Sequence, residues 1–377
     1  MKKHFKFSMV SIAVSFFMAN QAGAANTWTE ARSDAMGGTG VAAGRYGSGA
    51  LINPALLAKS KPEDDVTVIL PSVGVQVTDE DNLQDEIDTI NDKINHYKDV
   101  VDSLTPIEVI TNPLGSINQF QGAAKDLADE LDYLKGKTAH ATAGAGIAVS
   151  IPNDVLSVAF MAKGYAHGRV SSSIDQQDID YLRGIQRSDA VAAGVALDAA
   201  LNGTDQITKN LNSTASGRAA IVSDYGIAAD FGENWTVGVS GQNLMSRDID
   251  TKDIRIRNGR TGEVVSYKDT YQIRPLVTAG AAWHNDLVTL TADGDLTETK
   301  GFKSEDTSQY VGVGAEVTPL SWLAVRAGYR ADMKGNDSNV FTGGVGFAPF
   351  NAVHVDLMGL YGEDETWGAG AQLSMTF

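Results

Sequence analysis

The stretch Trp367-Gly368-Ala369-Gly370-Ala371-Gln372-Leu373-Ser374-Met375-Thr376-Phe377 decides how the chain must be read. Trp367, Ala369, Ala371, Leu373, Met375 and Phe377 fall on one face, and Gly368, Gly370, Gln372, Ser374 and Thr376, with Thr366 before them, fall on the other. Strict period two is the signature of a strand with two unlike faces. The same split recurs upstream. In 141–151 an aliphatic face opposes Thr, Gly, Ala and Ser; Val311, Val313, Ala315 and Val317 oppose Gly312, Gly314 and Glu316. Leu323, Val325, Ala327 and Tyr329 oppose Arg326 and Arg330, and Val288, Leu290 and Ala292 oppose Thr289, Thr291 and Asp293. A soluble sandwich would also alternate. Here the second face stays tiny or polar in nearly every strand, which is what a barrel with lipid outside and a filled lumen requires.

Turn lengths give an independent reading. Short connections stand at 152–154, 232–234, 284–286, 318–321 and 349–351, and longer polar segments lie near 168–218, 245–268, 298–306, 331–338 and 361–365. Short turns on one side and longer loops on the other are the outer-membrane arrangement. With a first strand at 65–78, the count is twelve, and an even count returns both termini to the periplasmic side. Trp235, Trp283 and Trp322 stand beside short turns, where an inner aromatic girdle belongs.

The first residues agree. Lys2, Lys3 and Lys6 precede an apolar run from Phe7 to Met18 and then Ala22-Gly23-Ala24, the three regions of a secretory signal with cleavage expected after Ala24. The run is too short for a spanning helix, which needs about 20 residues. Loss of the three lysines takes the net charge from −17 to −20. So acidic a chain is a poor partner for phosphate backbones, and no nucleic acid is expected. The absence of Cys excludes disulfides, thiolate metal sites and a cysteine nucleophile. The expected location is the bacterial outer membrane, with membrane lipid and the barrel-assembly machinery as partners; the terminal strand, through Trp367, Leu373, Met375 and Phe377, looks like the signal that machinery reads.

Two segments break the strand rhythm. Residues 31–58 contain Met36-Gly37-Gly38-Thr39-Gly40-Val41-Ala42 and Asn53-Pro54-Ala55-Leu56. The glycines give compact irregular backbone, and Asn before Pro predicts a capped helical start. No strand precedes the glycines and no Lys-Ser/Thr follows, so a phosphate loop is excluded; Gly136-Lys137-Thr138 fails likewise, because Leu131 stands where the first Gly must be. The segment resembles the N-terminal hatch of the FadL-type outer-membrane family, and the chain as a whole is similar to its TraF-like branch. That resemblance implies a plug of 25–62 inside a barrel of 63–377, with Gly37, Gly38, Gly40, Asn53, Pro54 and Leu56 in the hatch. Inward Gly144, Gly146, Gly238, Gly280, Gly312, Gly314, Gly346, Gly368 and Gly370 would leave room for it. The fold expected is therefore all-β with helical inserts, an antiparallel transmembrane β-barrel of twelve strands, or of fourteen as in FadL-type transporters.

The second break lies between the first two strands. Leu83, Ile87, Ile90, Ile94, Tyr97, Val101 and Leu104 follow a 4-3 spacing, a narrow apolar seam on a charged helix. A second helix is predicted from Asn112-Pro113, with Ile117, Phe120, Ala124, Leu127, Leu131 and Leu134 on its seam before the stop at Gly136. The two seams should meet as an antiparallel hairpin. A third helix is expected over 179–201, so inserts cover about 80–136 and 172–215, exposed on the outer surface by strand parity. They form either a structural cap or, through Leu83, Ile87, Ile90, Ile94, Phe120, Leu127 and Leu131, a surface for a ligand or partner.

No enzyme is expected. The six histidines, at 4, 96, 140, 167, 284 and 354, have no metal-ligand spacing, no Gly-x-Ser-x-Gly occurs, and no cofactor or metal is implied. The inward charges Lys163, Arg169, Asp224, Asp230, Arg274, Asp293, Asp295, Glu316, Arg326, Arg330, His354 and Asp356 read as an ion-pair network or as a polar path. Asp79-Glu80-Asp81 and Asp248, Asp250 and Asp253 lack a full calcium-loop spacing. Two functions remain: passive uptake of a hydrophobic small molecule, which the FadL resemblance implies, and a plugged barrel whose surface helices act in conjugation, adhesion or partner contact.

Overall fold

The computed structural model describes residues 28–45, 47–59, 66–79, 82–103, 111–135, 137–151, 158–171, 176–184, 225–244, 246–250, 254–257, 264–349 and 352–377. The export signal, Leu104, Asp224, Asp253 and most of the predicted third helix lie outside them.

Twelve strands form one antiparallel sheet: β1 (Thr67–Thr78), β2 (Thr138–Ile151), β3 (Val158–Ser171), β4 (Tyr225–Phe231), β5 (Trp235–Gln242), β6 (Leu276–His284), β7 (Val288–Asp295), β8 (Tyr310–Leu320), β9 (Leu323–Asp332), β10 (Val340–Phe347), β11 (Val353–Gly362) and β12 (Trp367–Thr376). Neighbours in sequence pair with each other except β3 and β4, and the first strand also pairs with the last, Thr67 opposite Thr376 and Val77 opposite Trp367. The ends of the sheet are therefore β3 and β4.

Burial runs opposite to that of a water-soluble protein. Ile147, Phe160, Ile227, Leu290, Val313, Val325, Phe341 and Leu357 are exposed, whereas Thr291, Asp293, Glu316, Arg326, Thr342, Asp356 and Gln372 are buried. Large apolar side chains gain by leaving water, so a continuous band of them outside a polar interior suits a lipid surround and not an aqueous one. Trp235 and Trp283 are cross-strand partners beside the short turns, and Trp235 and Trp322 are exposed there. No described helix is long and apolar enough to cross a membrane.

Pro71 interrupts β1. Its register slips between Leu70 and Val73 against β12, and between Ile69 and Ser72 against β2. Proline has no N–H to donate, so a strand paired on both sides must bulge around it.

The predicted hairpin is present as α1 (Leu83–Ser103) and α2 (Pro113–Leu134). Asp79 Oδ1 accepts the N–H of Leu83, and Asn112 Oδ1 accepts that of Gly115; both are N-terminal caps. Tyr97 packs on Phe120 with ring centroids 5.7 Å apart, while Glu86 meets Glu130 at the opposite end of the pair, so the helices are antiparallel. Their shared core also takes Ile179 and Leu182 of α3 (Gln176–Gly184) and Ala139 of β2.

The long segment after β5 is more ordered than its polarity suggested. Arg247–Asp250 pairs with Thr270–Ile273, and Ile254–Arg257 with Val264–Tyr267. Phe302 of the next long loop stacks edge-on against Tyr271 at 5.2 Å and bridges to it. The backbone thus satisfies its own hydrogen bonds well beyond the sheet.

Candidate functional site

Residues 28–59 pack against the inner face of the sheet. Two helical turns, Ala31–Asp34 and Gly49–Ile52, and a 3-10 helix, Pro54–Lys59, carry the segment through irregular backbone. The first turn has a reciprocal cap: Ser33 N–H donates to the Glu30 carboxylate at 2.8 Å, and Glu30 N–H donates to Asp34 at 3.0 Å. Gly37 and Gly38 both have φ of +75°, where other residues are strained. Asn53 behaves as its sequence predicts, accepting Ala55 N–H at 3.2 Å; its amide also donates to the carbonyls of Val41 at 2.7 Å and Ile227 at 3.2 Å.

The segment touches every strand. Trp28 lies against Gly74 of β1 and Gly144 of β2, and Val41 against Gly238 of β5 and Gly280 of β6. Leu51 and Leu57 cluster with Ile69 and Ala148, onto which Ala159 and Met161 of β3 pack. Asn53 reaches β4, and the N–H groups of Gly40 and Val41 donate to Asp293 of β7 at 2.7 and 2.8 Å. Met36 and Gly37 lie on Gly312 and Gly314 of β8 and Gly328 of β9, and Gly37 N–H donates to Thr342 of β10 at 2.8 Å. Ala31 and Ala35 share a cluster with Met358 of β11, and Ala31 N–H donates to Gln372 of β12 at 3.2 Å. One short segment can reach all twelve strands, both end strands included, only if the sheet curls around it.

Of the nine glycines expected to make room, six meet this segment. Gly346 instead faces Arg326 and Asp356, and Gly368 and Gly370 meet neighbouring wall atoms. Gly74, Gly226, Gly328 and Gly344 make the same close approach without having been singled out by sequence, although all four stand on the tiny or polar face that alternation defines.

The strongest attachment is ionic. Arg32, fully buried, donates from Nε and Nη2 to the two oxygens of Glu316 at 2.9 Å each, and from Nη1 to the Ala43 carbonyl at 2.6 Å. Glu316 also accepts from Arg326 Nε at 2.7 Å, and Arg326 Nη1 donates to Asp356 at 2.6 Å. The result is a buried chain of alternating charge, Arg32-Glu316-Arg326-Asp356, with Arg45 3.8 Å from Glu316. A second anchor stands at Arg330, whose guanidinium lies 4.1 Å from the Trp28 ring and 4.6 Å from the Tyr310 ring. Gln76 accepts from both Trp28 Nε1, at 2.7 Å, and Arg330 Nη2, at 3.1 Å.

Below the ionic chain, at the short-turn end, a cavity of about 620 Å³ is lined by Arg45, Glu316, Arg326, His354, Asp356 and the adjoining turns. It is a polar vestibule and not an apolar tunnel.

Two expectations need correction. Leu83, Ile90, Ile94, Phe120, Leu127 and Leu131 are buried in the helical hairpin's own core, so they offer no surface to a ligand or partner; a 4-3 seam pairs most readily with another such seam. The side chain of Ile87 is outside the described ones. Arg274 is not inward: it pairs with Asp248 of the ladder 247–250/270–273 at 2.6 Å, because it lies in the short link between that ladder and β6. Asp250 pairs with Lys268 at 2.8 Å and Asp79 accepts the N–H of Leu83 at the start of α1, so both acids have protein partners. Among the described residues no group of three metal-binding side chains converges.

The fold has solved counterparts. The monoaromatic hydrocarbon channel CymD matches with a TM-score of 0.51 at 10% identity, over 94% of this chain and 99% of its own. The P. putida toluene transporter TodX matches at 0.44 and 11% identity, over 93% and 99%. The first is a likeness of fold along nearly the whole of both chains. No curated protein sequence matches. The sequence profile described as "F plasmid transfer operon, TraF, protein" matches residues 50–231 and 223–295. The chain belongs to that TraF family, and its fold is like that of the channel CymD.

Proposed function

We propose that this protein is a bacterial outer-membrane barrel through which a hydrophobic small molecule passes inward without an energy source, and that residues 28–59 are its hatch. The observation that carries this reading is the nature of the filling. The lumen is occupied by a separate stretch of chain, fastened to the wall largely through side-chain and N–H contacts such as Arg32 to Glu316 and Gly40 to Asp293. A segment of that kind can shift and leave a polar, solvatable wall behind, whereas a lumen filled by the wall's own side chains could not clear. The apolar band, the girdle tryptophans and the fold shared with CymD support the membrane setting.

In this orientation the short turns and both termini face the periplasm, and the helical hairpin and the outer β-ladders face the exterior. The terminal strand ending in Phe377, exposed beside Val66, supplies the motif for barrel assembly. The test is uptake of a hydrophobic fluorescent probe into proteoliposomes. Influx faster than into empty vesicles supports the reading. Influx equal to that of empty vesicles overturns it in favour of a plugged barrel whose surface helices meet another cell component.

A further inference from the structure

The hatch supplies positive partners to acids of the wall. Arg32 is 2.9 Å from Glu316, and Arg45 lies 3.8 Å from the same carboxylate. Asp293 Oδ2 takes both of its hydrogen bonds from hatch N–H groups, and its buried Oδ1 meets no donor. The inner wall itself holds Asp293, Asp295, Glu316, Asp332 and Asp356 buried against Arg326 and Arg330. Strand register adds Lys163 to the inward positions of β3, opposite Gly146, and Asp230 to those of β4, opposite Thr236. Among the described side chains, six acids therefore face three bases. Withdrawal of the hatch takes Glu30 and Asp34 away together with Arg32 and Arg45, and it strips Glu316 and Asp293 of their hatch donors, so the vacated pore keeps the wall's own excess of acids.

A negative, low-dielectric channel concentrates counter-ions, and rings of Asp and Glu are the usual basis of cation selection. We infer that the pore uncovered by the hatch conducts small cations in preference to anions. The inference rests on residues 28–59 being a movable hatch.

The test is planar-bilayer recording under a KCl gradient, with the intact chain, a variant lacking residues 28–59, and full-length Arg32→Met, which serves if the deletion fails to give a heat-modifiable barrel. The opened variants should favour K⁺ over Cl⁻ by about threefold or more, and Asp293→Asn with Glu316→Gln in the same background should bring the ratio towards one. A ratio at or below one, or one that the neutralised pair leaves unchanged, overturns the inference. Passage of a hydrophobic probe separates the two levels. A folded hatch-less barrel that passes probe and ions without K⁺ preference refutes cation selection alone; one that passes neither refutes the hatch, and this inference with it.

Discussion

Arg32→Met should loosen the hatch while leaving the barrel assembled. The substitution keeps an apolar stem of similar length but removes the cation that balances the buried chain, so Glu316 and Asp356 remain against buried Arg326 and, 3.8 Å from Glu316, the more exposed Arg45. Removing one partner of a buried pair costs about 3–5 kcal/mol. Glu316 keeps its 2.7 Å bond from Arg326, which places the effect near the lower end. That penalty applies only while the hatch is seated, because in the withdrawn state Glu316 is hydrated in both proteins. About 3 kcal/mol, at about 1.4 kcal/mol per decade, lowers the seated-to-withdrawn ratio by roughly two orders of magnitude. The assay is initial probe influx into proteoliposomes together with protease cutting within residues 28–59; both should rise by about tenfold or more, with heat-modifiable mobility unchanged. Adding Glu316→Met leaves Arg326 and Asp356 as a balanced pair at 2.6 Å and should recover at least half of the loss. Influx and cutting within about twofold of the parent, or a double variant no better than the single one, would refute the latch.

Hatch seating should weaken as pH rises. Burial, reinforced by the nearby Glu30 carboxylate, holds the Asp34 carboxyl well above its usual range, with the Glu30 N–H and Arg330 only partly opposing. An acid whose seated pKa is raised binds its proton more tightly when seated, so stability is full below the ordinary carboxyl pKa and is lost progressively up to the raised value; Asp34→Asn should abolish this slope in a protease-accessibility titration. In Gly328→Ala the new methyl would overlap the hatch backbone at Met36 and Gly37, so the hatch must move and probe influx should rise; unchanged influx with normal assembly would argue that it is not seated there. Deleting Phe377 should lower the yield of heat-modifiable barrel, because it removes the end of the terminal strand's apolar face and little packing. A cysteine at Lys98, in a chain without any other, should react with an impermeant maleimide on intact cells; labelling only after permeabilisation would invert the topology.

Local properties of this protein are legible in its amino-acid order alone. Period two over 367–377 and its upstream counterparts reports which residues share a face, and the tiny or polar second face selects a lipid-surrounded barrel over a sandwich, because alternation and side-chain size do not depend on distant partners. The twelve strands, the alternating turn lengths, the caps at Asn53 and Asn112 and the glycine-rich hatch motif are of this kind. Tertiary structure decided what depends on partners far along the chain. Arg32 finds Glu316 across 284 positions, and Thr67 pairs with Thr376; no periodicity encodes such meetings, which follow from strand register and from the space that inward glycines vacate. The same holds for Leu83, Ile90 and Phe120. Their spacing declares an apolar stripe, but whether a stripe is a binding surface or a buried seam depends on what lies against it, and here each helix covers the other.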